Sequence, residues 1–255
     1  MKLFSLENRV AVVIGAGGHI CSALAHGFVQ AGAKVAVCDL RLEKAIAISE
    51  SINSIHPRST FAFQVDASSK ESILKLLTEV QNLMGNIDIA LNGAGTNSPK
   101  PFLEISTDDW NSVFQTQLIA TMYGCQVFGE HMLKTGSGSI INISSASADP
   151  ALSKAFAYSA AKAGIRNLTQ NLGREWGKSG VRVNAIRPGF FPTEWNRKNF
   201  ITPERESAIL GHTPMGRFGE THELIGAAVY LASDASSFVT GSELIVDGGF
   251  SSMTI

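Results

Sequence analysis

Short apolar runs rich in β-branched residues alternate with longer amphipathic stretches from one end of the chain to the other. Seven runs read as strands, over 9–14, 34–38, 61–65, 87–91, 139–143, 181–186 and 243–246. The first two are apolar at consecutive positions, as parallel strands buried on both faces are. Helices are predicted over 20–31, 40–52, 70–84, 108–133, 155–178 and 222–232. In the fifth of these, Ala161, Ile165, Leu168, Leu172 and Trp176 recur at steps of three or four and predict a core-facing stripe. Gly32 and Gly180 stand where helix termination calls for glycine.

Strand–helix alternation implies right-handed crossovers and a parallel sheet covered on both faces. The expectation is one α/β domain over 1–255, a Rossmann-type doubly wound sheet of seven parallel strands. Periodicity lapses over 189–219, where Phe190, Phe191, Trp195 and Phe200 fall among prolines. A substrate flap is expected there. Ligands of such sheets bind at the carboxyl ends of the strands.

The 255 residues, 44% hydrophobic and 17% charged, suffice for a single core, and a net charge of −1 argues against nucleic acid as the main partner. No apolar run is long enough to span a membrane, and residues 1–7 lack the features of a signal peptide. Cys21, Cys38 and Cys125 are scattered without metal-ligand spacing, so they read as core thiols, with no metal site and a cytoplasmic setting expected.

Candidate chemistry begins with Tyr158 and Lys162, four residues apart in a predicted helix and so on one face. A nearby ammonium favours the phenolate. Lowering a tyrosine pKa by roughly three units takes about 4 kcal/mol. Gly15-Ala16-Gly17-Gly18 lies between the first strand and first helix, where backbone N–H groups and the helix dipole suit a pyrophosphate. Asp39 ends the second strand, placed for a ribose diol and against a 2′-phosphate, which predicts NAD in preference to NADP. Arg41 blurs that preference. Asp66, followed by Ala67, reads either as an adenine contact or as a turn carboxylate.

Together these residues resemble the short-chain dehydrogenase/reductase family over nearly the whole chain. The family's TGxxxGIG motif reads Ile14-Gly15-Ala16-Gly17-Gly18-His19-Ile20-Cys21, with His19 and Cys21 in place of the second and third glycines. Asn92-Gly93-Ala94-Gly95 resembles its NNAG, Pro188-Gly189 with Thr193 its PGxxxT, and Asp247-Gly248-Gly249 its C-terminal signature. The resemblance implies that Tyr158 is the general acid/base, that Lys162 binds the nicotinamide ribose and depresses the Tyr158 pKa, and that Ser145 bonds the substrate oxygen. Phe191 joins the implied cofactor residues. Ser144 reads as a strand-end capping hydroxyl. Gln117, seven positions after Trp110, replaces the usual asparagine of a proton relay.

The segments 189–197 and 212–219 resemble the sugar-acid branch, notably D-mannonate (fructuronate) oxidoreductases, although Trp195 departs from an expected glutamine. A carboxylate substrate needs a cation, and Arg197 is the candidate. Phe190, Asn97, Ser147 and Asn196 are candidate substrate contacts. Arg187 stands where the family has a small residue and is compatible with a site role or a subunit contact. The implied activity is NAD-dependent interconversion of a secondary alcohol and a ketone on a sugar acid or polyol, by a homotetramer. Alternatives are an NADPH-dependent 3-oxoacyl-thioester reductase and a cofactor-binding sensor with weak turnover.

Overall fold

The computed structural model describes residues 2–193 and 201–253. Its strands are β1 (Val10–Ile14), β2 (Lys34–Asp39), β3 (Thr60–Gln64), β4 (Ile89–Asn92), β5 (Gly138–Ile143), β6 (Val181–Pro188) and β7 (Glu243–Val246). They form one seven-stranded sheet in the order β3-β2-β1-β4-β5-β6-β7, every pairing parallel. The helices are α1 (His19–Gln30), α2 (Leu42–Asn53), α3 (Lys70–Met84), α4 (Thr107–Phe114), α5 (Ala120–Thr135), α6 (Phe156–Trp176), α7 (Pro203–Gly211) and α8 (Ile225–Ala232).

Successive strand side chains point to opposite faces, which divides the apolar runs between two cores. Ala11 and Val13 enter one core with Val35, Val37, Ile89 and Leu91; Val10, Val12 and Ile14 enter the other with Ala36, Cys38 and Ala90. Leu24 and Phe28 of α1 and Ala228 and Leu231 of α8 cover the first. Ile73, Leu76 and Val80 of α3 and Phe128 and Met132 of α5 cover the second. Strand order reverses between β1 and β4, where Ile14 pairs with Cys38 on one side and Asn92 on the other. The crevice of a doubly wound sheet opens at this point.

Three features differ from the sequence expectation. The helix expected over 108–133 is interrupted by a π turn, Gln115–Ile119, that separates α4 from α5. The irregular segment 189–219 contains α7, started by the Thr202 hydroxyl accepting from Arg205 N and by Pro203 in the first turn. The stripe on α6 is split: Ala161 and Ile165 are buried, but the buried line continues through Thr169 and Gly173. Gly173 lies against the Gly241 backbone and the Thr240 hydroxyl, while Leu172 and Trp176 pack partly buried on the second core. Among the described residues no helix is long and apolar enough to cross a membrane.

Candidate active site

At the end of β1 the backbone N–H groups of Gly15 and Ala16 donate to the Cys38 carbonyl at 2.8 and 2.9 Å. Gly15 has φ +84°, and a Cβ there would stand 2.8 Å from Ala94 N, so glycine alone lets this turn pass the loop after β4. Gly18 N donates to Gly15 O at 2.9 Å, and α1 then starts at His19 with no side-chain cap, among the described residues, on its first N–H groups. His19 is exposed at that start, and Ile20 packs against the first core. Cys21 is buried, its sulfur filling the space that a side chain at Gly93 would need. The departure from glycine at position 21 is thereby matched by the glycine at position 93.

Asp39 accepts from Gly17 N and from Arg41 N, each at 3.0 Å, and the Arg41 guanidinium lies 4.0 Å from its Oδ1. The carboxylate thus braces the glycine turn as well as facing the crevice end of β2. Asp66 is a turn carboxylate, accepting from Ser68 N at 2.9 Å and Ser68 Oγ at 2.7 Å; Ala67 packs on the second core.

The central strands are stitched by buried amides. Asn92 Nδ2 donates to Asn142 Oδ1 at 2.9 Å, and Asn142 Nδ2 to Thr169 Oγ1 at 3.0 Å, linking β4 and β5 to α6. Nearer the start of α6 stand Lys162 and Tyr158. Lys162 Nζ donates to the Ile143 carbonyl at 2.7 Å, and only 4% of the residue is exposed. Burial pulls its pKa down to about 8, partly offset by Cys21. The Tyr158 side chain is half-buried; desolvation raises its pKa, while Ser145 acts the other way. The expectation that Lys162 depresses the phenol pKa is therefore not met in this structure. The ammonium is committed to Ile143 and lies over the ring, 5.5 Å from its centroid, and desolvation sets the direction of the phenol's shift.

Ser145 Oγ accepts from Ser147 N at 3.2 Å and from Ser147 Oγ at 3.1 Å, so it caps the single turn Ala146–Ala148. The capping role expected of Ser144 falls to its neighbour. The buried Ser144 hydroxyl has no partner among the described residues, whereas its N–H donates to Ile186 O at 2.8 Å. Gln117 sits in the π turn, Nε2 donating to Thr96 O at 2.8 Å and Oε1 buried without a partner among the described residues.

These donors and acceptors fit a nicotinamide dinucleotide. A glycine turn with an uncapped helix start suits the pyrophosphate. Asp39 suits the adenosine ribose, and two of the three Lys162 N–H groups remain after Ile143 for the other ribose. Pro188 is buried at the end of β6, and Gly189 N donates to Val246 O at 2.9 Å, presenting the 188–193 segment, with Thr193, at the strand ends. Phe191 packs on the first core.

Beyond the serine turn, a cavity of about 340 Å³ is lined by Pro150, Leu152, Phe190, Arg205, His212 and Phe250 among others. Phe190 and His212 rings meet Phe250 edge-on at 5.1 and 4.8 Å. Arg205 of α7 reaches Ser153 Oγ at 3.4 Å. Arg205 and His212 line this cavity; the sequence pattern did not single out Arg205, although the Thr202-Pro203-Glu204 helix start could have placed it on an ordered element. Ser147 is buried beside Ser145, and Asn97 is exposed in the loop after β4. Trp195, Asn196 and Arg197 lie outside the described residues.

The family model described as enoyl-(acyl carrier protein) reductase, adh_short_C2, matches residues 15–251. The chain belongs to the short-chain dehydrogenase/reductase family. It is 36% identical over 247 residues to D-threitol dehydrogenase of Mycolicibacterium smegmatis, covering 97% of this chain and 94% of that protein. A gluconate 5-dehydrogenase from Burkholderia cenocepacia, solved with NADP and tartrate, superposes with a TM-score of 0.94 at 32% identity, 99% of each chain being covered. A candidate D-mannonate oxidoreductase from Haemophilus influenza, solved with NAD, gives 0.93 at 36% identity, covering 98% and 97%. This short-chain dehydrogenase/reductase is accordingly an NAD(P)-dependent oxidoreductase.

Proposed function

We propose that the chain interconverts a secondary alcohol and a ketone on a sugar acid or related polyol, with NAD(H) preferred. The observation that carries this reading is the meeting of three groups at the ends of β5 and α6. Lys162 is anchored to Ile143 O and lies over the Tyr158 ring, Ser145 is near enough to Tyr158 to favour its phenolate, and Ser145 caps the adjoining turn. In this reading Tyr158 takes or returns the hydroxyl proton, Ser145 holds the reacting oxygen as its charge changes, and Lys162 steadies the ribose and the phenolate that forms. A nicotinamide bound beside them supplies or accepts the hydride. Gly15, Gly17, Gly18, His19, Ile20, Asp39, Asp66, Ala67, Asn92, Gly93, Ala94, Pro188, Gly189, Phe191 and Thr193 border the dinucleotide. Gln117 joins the proton path through its buried Oε1, which has no partner among the described residues.

Asp39 supports NAD over NADP, since its charge opposes a 2′-phosphate. The Arg41 guanidinium, 4.0 Å from Asp39 Oδ1 and largely exposed, offsets that charge only in part. Arg205, at the cavity bordered by Phe190, supports an acid: it offers a guanidinium to a carboxylate from an ordered helix. Arg197 keeps the same proposed role, with Ser147, Asn97 and Asn196 toward hydroxyls. A cytoplasmic homotetramer completes the reading, to be sized by light scattering.

The test is a panel of D-mannonate, D-gluconate, D-threitol and glycerol, with the corresponding ketones, against NAD(H) and NADP(H), followed by absorbance of the reduced nicotinamide. The highest kcat/KM is expected for a sugar acid with NAD. No turnover of any of these, with turnover of a 3-oxoacyl thioester by NADPH assayed beside them, would overturn the reading.

A further inference from the structure

Arg187, next to last in β6 and just before Pro188, has a side chain only 2% exposed. Its Nη1 is 2.6 Å from Asp149 Oδ2, and its Nη2 pairs with Glu243 Oε2 at the start of β7. Arg166 pairs with the other Asp149 oxygen and lies 3.6 Å from Glu243 Oε2 through its Nε. Two guanidinium and two carboxylate groups thus close a ring of charge. Three of the four belong to segments that also carry a site residue. Asp149 directly follows the Ser145-capped turn, Arg166 is one helical turn beyond Lys162, and Arg187 adjoins the Pro188-Gly189 segment.

Stability alone does not account for the buried half of this cluster. Arg187 and Glu243 are 2% and 10% exposed, and burying such a pair costs several kcal/mol per ion in desolvation, whereas Asp149 and Arg166 stay 47% and 39% exposed. Arg187 Nε and Glu243 Oε1 are themselves buried without partners among the described residues, a further cost. What a planar guanidinium fork provides is fixed geometry. On its near side the serine turn is held by β5 and by Ser144 N donating to Ile186 O; after Ala148 the chain reaches α6 without helix or strand, and the Asp149–Arg187 pair ties the far side of the turn to β6.

We propose that Arg187 and Asp149 are positioning residues: their ion pair ties the turn bearing Ser145 to the end of β6 and sets the aim of the Ser145 hydroxyl at the substrate oxygen. This rests on the role of Ser145 given above. Neither residue touches the reacting atoms. Both act through Ser145, so the effect of losing the pair depends on Ser145 being present.

A double-mutant cycle tests this, using the most active of D-mannonate, D-gluconate and D-threitol. Asp149→Asn is expected to lower kcat/KM at least tenfold, with NADH affinity by fluorescence within twofold of wild type. Ser145→Ala/Asp149→Asn is expected to be no less active than Ser145→Ala alone, because groups that act as a unit are non-additive. The same cycle with Arg187→Lys, which keeps the charge and loses the fork, answers the question if the Asp149→Asn chain does not fold. Losses that multiply, or wild-type kcat/KM in both single variants, would overturn the proposal while leaving Ser145 catalytic. An unimpaired Ser145→Ala enzyme would remove the serine's role, and the proposal with it.

Discussion

The Lys162 ammonium lies 5.5 Å from the centroid of the Tyr158 ring, over its face, and is hydrogen-bonded to the Ile143 carbonyl. Both groups are held by α6, and both have pKa values moved toward the neutral form by burial. The pair is therefore a store of unfavourable desolvation at the ends of the strands. Of the two, only the Lys162 ammonium is brought toward neutral pH, and a bound dinucleotide and substrate would meet a phenol held in its protonated form.

That burial has a consequence for stability. Lys162 titrates at about 8 in the folded chain against the ordinary 10.5. Between those values the unfolded chain keeps a proton that the folded chain has released, so this group's contribution to stability rises with pH and does not change below pH 8. The unfolding free energy of wild type minus that of Lys162→Met is expected to increase by about 2 kcal/mol from pH ~8 to ~10. Denaturant titrations across that window check it. Parallel curves would show an unperturbed lysine.

Asp39 is expected to decide between the two dinucleotides. Replacing it by serine removes the charge that faces a 2′-phosphate but also the acceptor for Gly17 N and Arg41 N. The ratio of kcat/KM for NADP to that for NAD is expected to rise about tenfold or more, equivalent to at least ~1.4 kcal/mol. Steady-state kinetics with each cofactor give the answer; an unchanged ratio would assign Asp39 to the turn alone.

Gly95 and Gln117 are coupled by space. Gly95 has φ +155°, and a Cβ there would collide with the Gln117 amide. Gly95→Ala is expected to cost about 1–3 kcal/mol of stability through strain and overpacking. In a Gln117→Ala background the cost is expected to be smaller by about 1 kcal/mol. Urea unfolding of the four chains measures the coupling, and strict additivity would contradict the collision.

The sheet was legible because each strand is an apolar run bounded by glycine or a polar residue, and period-two burial then distributes Ala11 and Val13 to one core and Val10, Val12 and Ile14 to the other. The glycine turn and the Tyr158–Lys162 spacing were legible for a similar reason: both are local in sequence. Long-range relations were not. That Cys21 fills the room left by Gly93, or that Arg187 reaches Asp149 and Glu243, depends on which strand ends become neighbours. The π turn at Gln117 escaped periodicity analysis because one widened turn leaves the apolar pattern on either side intact. Desolvation also reversed the direction of the Tyr158 shift expected from charge proximity alone.

Replacing Tyr158 by phenylalanine tests the central claim most directly, since it removes one oxygen and leaves the ring, the Lys162–Ile143 bond and the glycine turn in place. NADH binding, followed by fluorescence, is expected to stay within about threefold of wild type, while kcat falls by roughly 10²–10⁴. Turnover equal to wild type in the phenylalanine enzyme would contradict the assignment of proton transfer to Tyr158.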